Sequence, residues 1–488
     1  MKNLPELLTK LGIHQQPRIL KIYNLSIDSR YQSKQWLFLA YQGINSDGNN
    51  YINSAIKNGA IVILTDKSDL IQQNFPVPII YIPNLKDKIP ALANWFYDAP
   101  SAKLDITAVT GTNGKTSICH LFMQLSTLLG KKTATLGTIG NGIWPKLDTS
   151  THTSPDPVSL QRLLVSFLDK KAKEIILEAS SHALEQNRLS ALNIHTAIWT
   201  NLSHDHLDYH GSMQHYFNAK VKLFDFGSLQ SAVINLDDHY APSLMQHLKN
   251  KPINLLTYSL INPNADLFLT DLKPNKSGYS ATLIYQNQGY VIHSPLMGKF
   301  NLYNLAATIL ALIANKYDIN KIIPLLPNLL PVSGRMQLLN SKNSAPVVID
   351  YAHTPDALEN ALQTARHHVK NKLWCIFGCG GDRDASKRSK MAEITEKFAD
   401  RVIVTEDNNR TEDFADILKD IQQGFKHPNQ HKVISNRTDA IHFAIDQADV
   451  DDLILLCGKG HERYMDKCGK KTYYNEEEII QSYWDKKA

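Results

Sequence analysis

Cysteine is scarce: five in 488 residues, an odd number with no Cys-x-x-Cys pair. That excludes a disulfide framework and gives no zinc signature. Cys119, Cys375, Cys379, Cys457 and Cys468 read as thiols, and Cys375 and Cys457, inside apolar runs, read as small core hydrophobes. Charge of one sign is equally lacking. Lys and Arg total 52 against 47 Asp and Glu, a formal +5, and no basic stripe is interleaved with aromatics, so nothing marks a nucleic-acid partner. Long apolar runs are missing as well. Leu305 to Ala314 is too short to cross a bilayer, and Met1 to Leu8 lacks the core of a signal peptide. The expectation is a soluble, cytoplasmic protein without a membrane span. There is no repeat and no low-complexity tract.

Composition is that of an ordinary globular chain, 43% hydrophobic and 20% charged, and the length predicts about three domains. From residue 1 to 100, apolar runs at 36–40, 60–64 and 77–82 alternate with helical patterns such as 85–97, which describes a small α/β module. Asp98 to Lys103, polar, small and carrying a proline, reads as a linker. From 101 to 331, strands at 174–179, 195–201 and 231–235 alternate with helices, as in a mainly parallel, doubly wound sheet. Three prolines within 324–331 mark the next boundary. Residues 332–488 give strands at 347–350, 373–377, 401–405, 431–434 and 453–457, a second, Rossmann-like α/β domain. The charged stretch 475–485 reads as an exposed amphipathic helix.

The most informative stretch is Val109-Thr-Gly-Thr-Asn-Gly-Lys-Thr-Ser117. Leu104, Ile106 and Ala108 alternate at a strand's period, while Ile118, Leu121, Phe122, Leu125, Leu128 and Leu129 recur at helical spacing. A strand therefore passes through a glycine turn into a helix. Gly111 and Gly114 allow close backbone approach, the amides from Thr112 to Ser117 point at an anion, Lys115 supplies charge and Thr116 a hydroxyl for magnesium. This predicts a bound nucleoside triphosphate in a variant P-loop, with Val109 where the usual pattern has glycine. Glu178, ending an apolar strand, puts a carboxylate where a doubly wound sheet binds ligands and could hold magnesium. His204, His206 and His210 cluster with Asp205 and Asp208 without zinc spacing. Singly they read as loop residues, His206 being the preferred exception.

These segments together resemble the Mur ligases, ATP-dependent amide-forming enzymes of peptidoglycan assembly. The resemblance rests on Gly-Thr-Asn-Gly-Lys-Thr at 111–116, Glu-Ala-Ser-Ser-His at 178–182, Asn-Leu-Ser at 201–203 and Asp-His-Leu-Asp-Tyr-His-Gly at 205–211. It extends through Asp28-Ser29-Arg30, Ala219-Lys220, Gly298-Lys-Phe-Asn301-Leu-Tyr-Asn304, Gly334-Arg335, Asp350-Tyr-Ala-His353, Gly378-Cys-Gly-Gly-Asp-Arg383-Asp and Gly458-Lys-Gly-His-Glu462. It implies a ligase that adds a diamino acid to UDP-N-acetylmuramoyl-L-alanyl-D-glutamate through an acyl phosphate, releasing ADP and phosphate. Such an enzyme acts in cell-wall biogenesis, and hence in cell shape, division and the cell cycle. The stretch Asp407-Asn408-Asn409-Arg410 stands where diaminopimelate-adding members commonly read Asp-Asn-Pro-Arg. A guanidinium suits bidentate recognition of the distal carboxylate and repels the ammonium of lysine, which favours meso-2,6-diaminopimelate.

The resemblance further implies residue roles. Lys115 meets the β- and γ-phosphates, and Thr116, Glu178 and His206 hold magnesium. Lys220 matches a lysine carbamylated in the family, which would turn a cation into a metal-supporting anion; an ordinary surface lysine is the other reading. Asn301, Asn304, Arg335 and Asp350 contact adenine, phosphate and ribose, the last two from the third domain, so closure assembles the site; for Asn304 a solvated helix surface is the alternative. Ile27, Ser29, Ile44, Asn45 and Ser46 contact UDP in an N-terminal UDP-binding domain. His152, Thr153, Ser154, Ser180, Gln186 and Arg188 line the muramoyl-peptide path. Arg383, Asp407, Asn408, Asn409, Arg410, Gly458 and Glu462 grip the incoming amino acid. A monomer with ATP, magnesium and small-molecule substrates is expected. The rival readings are a superfamily ligase adding L-lysine or resembling folylpolyglutamate synthase, and a nucleotide switch, which would not need the third-domain motifs.

Overall fold

A computed structural model describes residues 1–14, 18–44, 46–148, 150, 153–341 and 343–487, the side chain of Asp208 aside. The chain forms two compact units, Met1–Tyr258 with Ala307–Tyr317, and Ser259–Ala306 with Asp318–Ala488. Among the described residues no helix is long and apolar enough to cross a membrane.

In the first unit, strands Asn24–Ser26, Trp36–Ala40, Ala60–Thr65 and Ile79–Tyr81 form a parallel sheet in that order. Leu37, Leu39, Val62 and Leu64 face one core, and Trp36, Phe38 and Ile63 the other. Residues 98–103, read as a linker, are exposed at Asp98, Ala102 and Lys103 but anchored in the middle. Pro100–Lys103 is a 3-10 turn with Pro100 and Ser101 buried, and the Ser101 hydroxyl accepts the Asn193 amide. Small side chains here permit close packing rather than mobility.

A second sheet of the same unit runs Lys146–Asp148, Gly140–Ile143, Thr133–Gly137, Glu174–Glu178, Asp105–Thr110, Thr196–Trp199, Ser231–Asn235, Asn254–Ser259, parallel from Thr133 onward. The chain passes from the Asp105 strand to one side and later returns to the other, which places a ligand crevice beyond the carboxyl ends at that reversal. The apparent alternation in the Asp105 strand is misleading about exposure. Thr107 is as buried as Ile106 because both faces of a parallel sheet are covered, and its hydroxyl accepts Asn315 Nδ2 at 3.0 Å. Asn315 also binds Glu174 and Thr196, and the Tyr317 hydroxyl donates to Glu174 at 2.9 Å. The buried Glu174 carboxylate, further satisfied by Ser126 and Thr133, ties residues 307–317 to the amino edge of this sheet.

The second unit contains an antiparallel meander, Leu267–Asn275, Gly278–Tyr285 and Gln288–Ser294, and a sheet ordered Gln337–Leu339, Val347–Asp350, Leu453–Cys457, Leu373–Phe377, Arg401–Val404, Lys432–Val433. Only its first strand is antiparallel. The strand expected at 431–434 shrinks to two exposed residues, as suits an edge. Cys375 and Cys457 lie fully buried in their strands. Helix Glu476–Lys487 forms where charge and periodicity predict it but is not simply exposed. Ile480 and Trp484 enter the core, and Glu476 pairs with the equally buried Arg437 at 2.6 Å.

Arg437 also donates to the carbonyls of Cys457 and Glu406, so it holds the ends of two strands from inside. Removing its counter-ion strands a buried charge, at a cost of about 3–5 kcal/mol. Glu476→Ala is therefore expected to lower the urea midpoint of the transition reported by Trp374 and Trp484 fluorescence; an unchanged midpoint contradicts this account.

Candidate active site

Three neighbouring parallel strands deliver the first group of residues. Glu178 pairs in register with Val109, and Trp199 with Thr110, so Glu178, the loop 111–114 and the loop after Trp199 emerge side by side at the carboxyl edge. The glycine loop is not free-standing. The amides of Thr112 and Asn113 donate to Asn201 O and Oδ1 at 2.8 and 3.0 Å, and Thr200 Oγ1 donates to Asn113 O at 2.6 Å. Gly111, with φ +147°, has no room for a β-carbon because Thr200 Oγ1 and Asn201 O lie against it. The pressure for glycine here comes from packing as well as from ligand approach. Gly114, at φ +91°, starts helix Lys115–Leu128 without a side-chain cap, so the amides of Lys115, Thr116 and Ser117 face outward with the positive end of the helix dipole.

Two lysines meet on one backbone oxygen. Gly111 O accepts Lys115 Nζ at 2.9 Å and Lys220 Nζ at 2.7 Å, and Lys115 also donates to Thr112 O at 2.7 Å. Lys220 is not a surface lysine: it is 1% exposed, with its ammonium 4.5 Å from the Tyr216 ring centroid. Burial, reinforced by the charge of Lys115, holds its pKa well below the ordinary lysine range. Burial also lowers Lys115, offset in part by the charge of Glu178. Glu178 is likewise 1% exposed. Its carboxylate accepts Thr116 Oγ1 at 3.0 and 3.1 Å, the Thr138 amide at 2.7 Å and the Thr138 hydroxyl at 3.3 Å. Burial pushes its pKa up against the opposing pull of Lys115 and these donors.

The residues expected along the muramoyl-peptide path form one network with this edge. Ser154 Oγ donates to Glu178 O at 2.7 Å and lies 3.2 Å from Ser180 Oγ. Arg188 bridges Ser154 O and Gln186 Oε1, Gln186 reaches the Tyr209 hydroxyl, and Thr153 accepts Thr138 Oγ1. His206 is exposed with φ +52° and its ring lies 5.0 Å from that of His182. His210 is instead buried against Ser181 Oγ at 3.0 Å, a structural placement. Among the described residues no three His, Cys, Asp or Glu side chains converge as a self-sufficient metal site. In the N-terminal sheet region Ser29 is nearly buried and its carbonyl accepts Asn58 Nδ2, Ile27 packs on the core, Ile44 is 60% exposed, and Ser46 O accepts the Gly43 amide. Asn45 and His152 lie outside the described residues.

In the second unit, Asn301 and Asn304 are both buried and joined at 3.0 Å, Asn301 also donating to Met297 O. The solvated-surface reading of Asn304 therefore does not hold. Asp350 accepts the amides of Met336 and Ala352 at 2.8 and 2.9 Å, and the Arg335 guanidinium lies 5.2 Å from the Tyr351 ring centroid.

The residues expected to grip the amino acid also converge, except that Arg383 points into solvent. Asp407, Asn408 and Asn409 are buried. Asn408 Nδ2 donates to Glu462 Oε2 at 2.7 Å. Gly458, at φ +117°, leaves no space for a β-carbon beside Asp407 Oδ2. Arg410 takes the left-handed φ of +50°, held by hydrogen bonds from its amide to Asp466 O and from the Cys468 amide to its carbonyl, while Nη1 donates to Gly381 O at 2.6 Å. Backbone strain of this kind concentrates at functional sites. Asn409, in the place of proline, is held rather than loose: its carbonyl accepts the Glu412 amide, though its buried Oδ1 finds no partner. Lys459, within the Gly458–Glu462 motif, joins the same constellation. It is fully buried, with Nζ 3.1 Å from Asn408 Oδ1, 3.3 Å from Glu462 and 3.8 Å from Asp407. Its signal was an apolar strand ending directly at Gly458-Lys459.

Residues 21–96, 109–312 and 334–460 match, respectively, models described as the Mur ligase family catalytic domain, the Mur ligase middle domain and the Mur ligase glutamate ligase domain. The chain is 41% identical over 476 residues to the UDP-N-acetylmuramoyl-L-alanyl-D-glutamate--2,6-diaminopimelate ligase of Pseudomonas putida, covering 96% of each. It superposes on a solved ligase of the same description with a TM-score of 0.76 at 34% identity, covering 100% of this chain and 99% of that one. A folylpolyglutamate synthase of Mycobacterium tuberculosis, solved with ADP and AMPPCP, shares the fold at a TM-score of 0.58 and 18% identity over 76% of this chain and 92% of that one. By its motifs, its domains and its whole-length likeness, this chain belongs to the Mur ligase family.

Proposed function

We propose that the chain joins meso-2,6-diaminopimelate to UDP-N-acetylmuramoyl-L-alanyl-D-glutamate through an acyl phosphate, with release of ADP and phosphate, in peptidoglycan synthesis. Relatives named for that reaction, similar along nearly the whole chain, support the reading. The observation that carries it is the pairing of the buried Lys220 and the part-buried Lys115 on Gly111 O, beside an uncapped helix start, with the guanidinium of Arg410 in the amino-acid constellation. The first demands an anion of high charge; the second suits the second carboxylate that diaminopimelate has and lysine lacks. In this reading residues 1–100 bind UDP, 101–331 bind ATP, and 332–488 bind the amino acid. The enzyme works as a cytoplasmic monomer in cell-wall growth and division.

Magnesium fits the residues present. Thr116 and Glu178 offer a hydroxyl and a carboxyl group at the phosphate-binding edge, His206 stands exposed on the loop after the Thr196–Trp199 strand, and the sparse protein ligand set suits an ion that keeps water and substrate phosphates. Bound there, the ion would neutralise charge on the phosphates and help bring a carboxylate up to ATP. Lys115 draws phosphate charge, the amides of residues 115–117 hold phosphate oxygens, and Asn201 keeps the loop in shape. Lys220 supports the cation as a carbamate: burial beside Lys115 favours its neutral amine, the form whose lone pair adds to carbon dioxide with loss of one proton. Asn301, Asn304, Arg335 and Asp350 bind the nucleoside and phosphates. Asp407, Asn408, Asn409, Arg410, Gly458, Glu462 and Arg383 take the amino acid.

Phosphate release measured with a panel of amino acids is expected to favour meso-diaminopimelate over L-lysine by well over tenfold in kcat/KM. Arg410→Ala should raise the diaminopimelate KM roughly tenfold or more, about 1.4 kcal/mol, without changing that for ATP. Equal turnover of lysine sinks the specificity. Lys220 supplies a pH test in buffer free of carbon dioxide. Between its depressed native pKa and the ordinary 10.5, the unfolded chain binds the proton that the native chain has lost, so stability gains from this group as pH rises. Lys220→Met should therefore be stabilising near pH 7, with its melting-temperature advantage shrinking toward pH 10; a constant difference contradicts the shift.

A further inference from the structure

Sequence alone gives no reason to single out Arg388, one of four basic residues between Lys387 and Lys397 on helix Ser386–Phe398. It is 2% exposed. Its Nη1 donates to Asp420 Oδ2 at 2.9 Å, and Nη2 donates to both Glu412 oxygens at 2.8 and 2.9 Å and to Gly380 O at 3.3 Å. One planar cation thus reaches the glycine loop 378–382, the segment after Arg410, and helix Phe414–Gln422.

Those two loops are zipped together around Arg410. The Gly381 amide donates to Asn408 O at 3.0 Å, Arg410 Nη1 donates to Gly381 O, the Thr411 amide and hydroxyl donate to Asp382, the Asp382 amide donates to Glu412, and the Glu412 amide donates to Asn409 O. A β-carbon on Gly380 would stand 3.0 Å from Arg410 Nη1, and one on Gly381 would strike Asn409 O, so the loops have no slack. Glu412 is the hinge of this arrangement, and Arg388 neutralises it. Without Arg388 the carboxylates of Glu412 and Asp420 lose their shared cation, and the carbonyl-bearing loop that aims the Arg410 guanidinium loses its brace.

We propose that Arg388 is a positioning residue for amino-acid selection, acting through the Gly380–Glu412 clamp to aim Arg410 at the distal carboxylate. This rests on Arg410 being the residue that meets that carboxylate. Lysine at 388 keeps the charge but, as a point donor, cannot span all three partners. Steady-state kinetics on the full-length enzyme with ATP, the UDP-linked dipeptide and meso-diaminopimelate would compare Arg388→Lys, Arg410→Ala and the double variant. The expected result is a rise of about tenfold in the diaminopimelate KM for Arg388→Lys, with kcat and the ATP KM within about twofold, and a double variant no worse than Arg410→Ala alone, since residues acting as a unit are not additive. An unchanged KM in Arg388→Lys, or effects that multiply in the double variant, overturns the proposal while leaving the role of Arg410 standing. An unchanged KM in Arg410→Ala removes the specificity reading and the proposal together. If Arg388→Lys does not fold, the part-exposed Glu412→Gln must give the same pattern; its failure to raise the KM overturns the proposal equally.

Discussion

Two ammonium groups on one carbonyl oxygen cannot both stay charged and dry without an anion. That constraint at Gly111 organises the carboxyl edge of the central sheet. Each lysine is poorly solvated, each repels the other, and the helix that begins at Gly114 adds its own positive end. Three resolutions are available: a polyphosphate, loss of a proton from one amine, or conversion of that amine to an anion. On the proposed reading the edge serves all three: Glu178 would hold a divalent ion beside the phosphates, and Lys220 is the more deeply buried of the two lysines. Asn201 occupies the amides of Thr112 and Asn113, and the amides of Lys115, Thr116 and Ser117 at the helix start face outward. The loop is thus rigid before any ligand arrives, the condition under which electrostatic stabilisation is most effective.

The amino-acid constellation solves the complementary problem. On the proposed reading its ligand carries both signs at both ends, so the residues that would receive it must be individually paired without becoming collectively neutral. Lys459, buried among Asp407, Asn408 and Glu462, offsets part of the acidic charge and fixes the Asn408 amide. Among the described residues Arg410 spends Nη1 on Gly381 O, which on the proposed reading leaves most of its guanidinium's five donors for the ligand. Backbone strain at Arg410 and Asp382, both with positive φ, is carried by the hydrogen bonds between their loops and by the buried Arg388 behind them.

Much of this was legible in the chain where the physics is local. A strand period followed by glycines and a helical period names the phosphate loop without any tertiary information, and proline spacing and apolar runs outline both α/β sheets. What failed did so for identifiable reasons. The linker at 98–103 and the exposed amphipathic helix at 475–485 were read without their inward contacts, Ser101 on the Asn193 amide and Glu476 on the buried Arg437, because partners distant in sequence leave no local trace. The meander 267–294 passed unnoticed because its strands carry mixed polar faces. The burial of Lys220 and Arg388 is not written in the linear pattern, since for a long basic side chain it depends on partners 100 or more residues away for the first, and on a neighbouring loop for the second. Only the family resemblance drew attention to Lys220, and nothing in the linear pattern drew attention to Arg388.

The central claim is that Glu178 and the lysine pair form a cradle for a triphosphate and its divalent ion. The most direct test is calorimetric titration of wild type and Glu178→Gln with ATP, in magnesium and in its absence. The account predicts that magnesium tightens ATP binding to the wild type by at least roughly tenfold and that the glutamine variant loses most of that increment while keeping magnesium-free affinity. An equal magnesium increment in both proteins would contradict it.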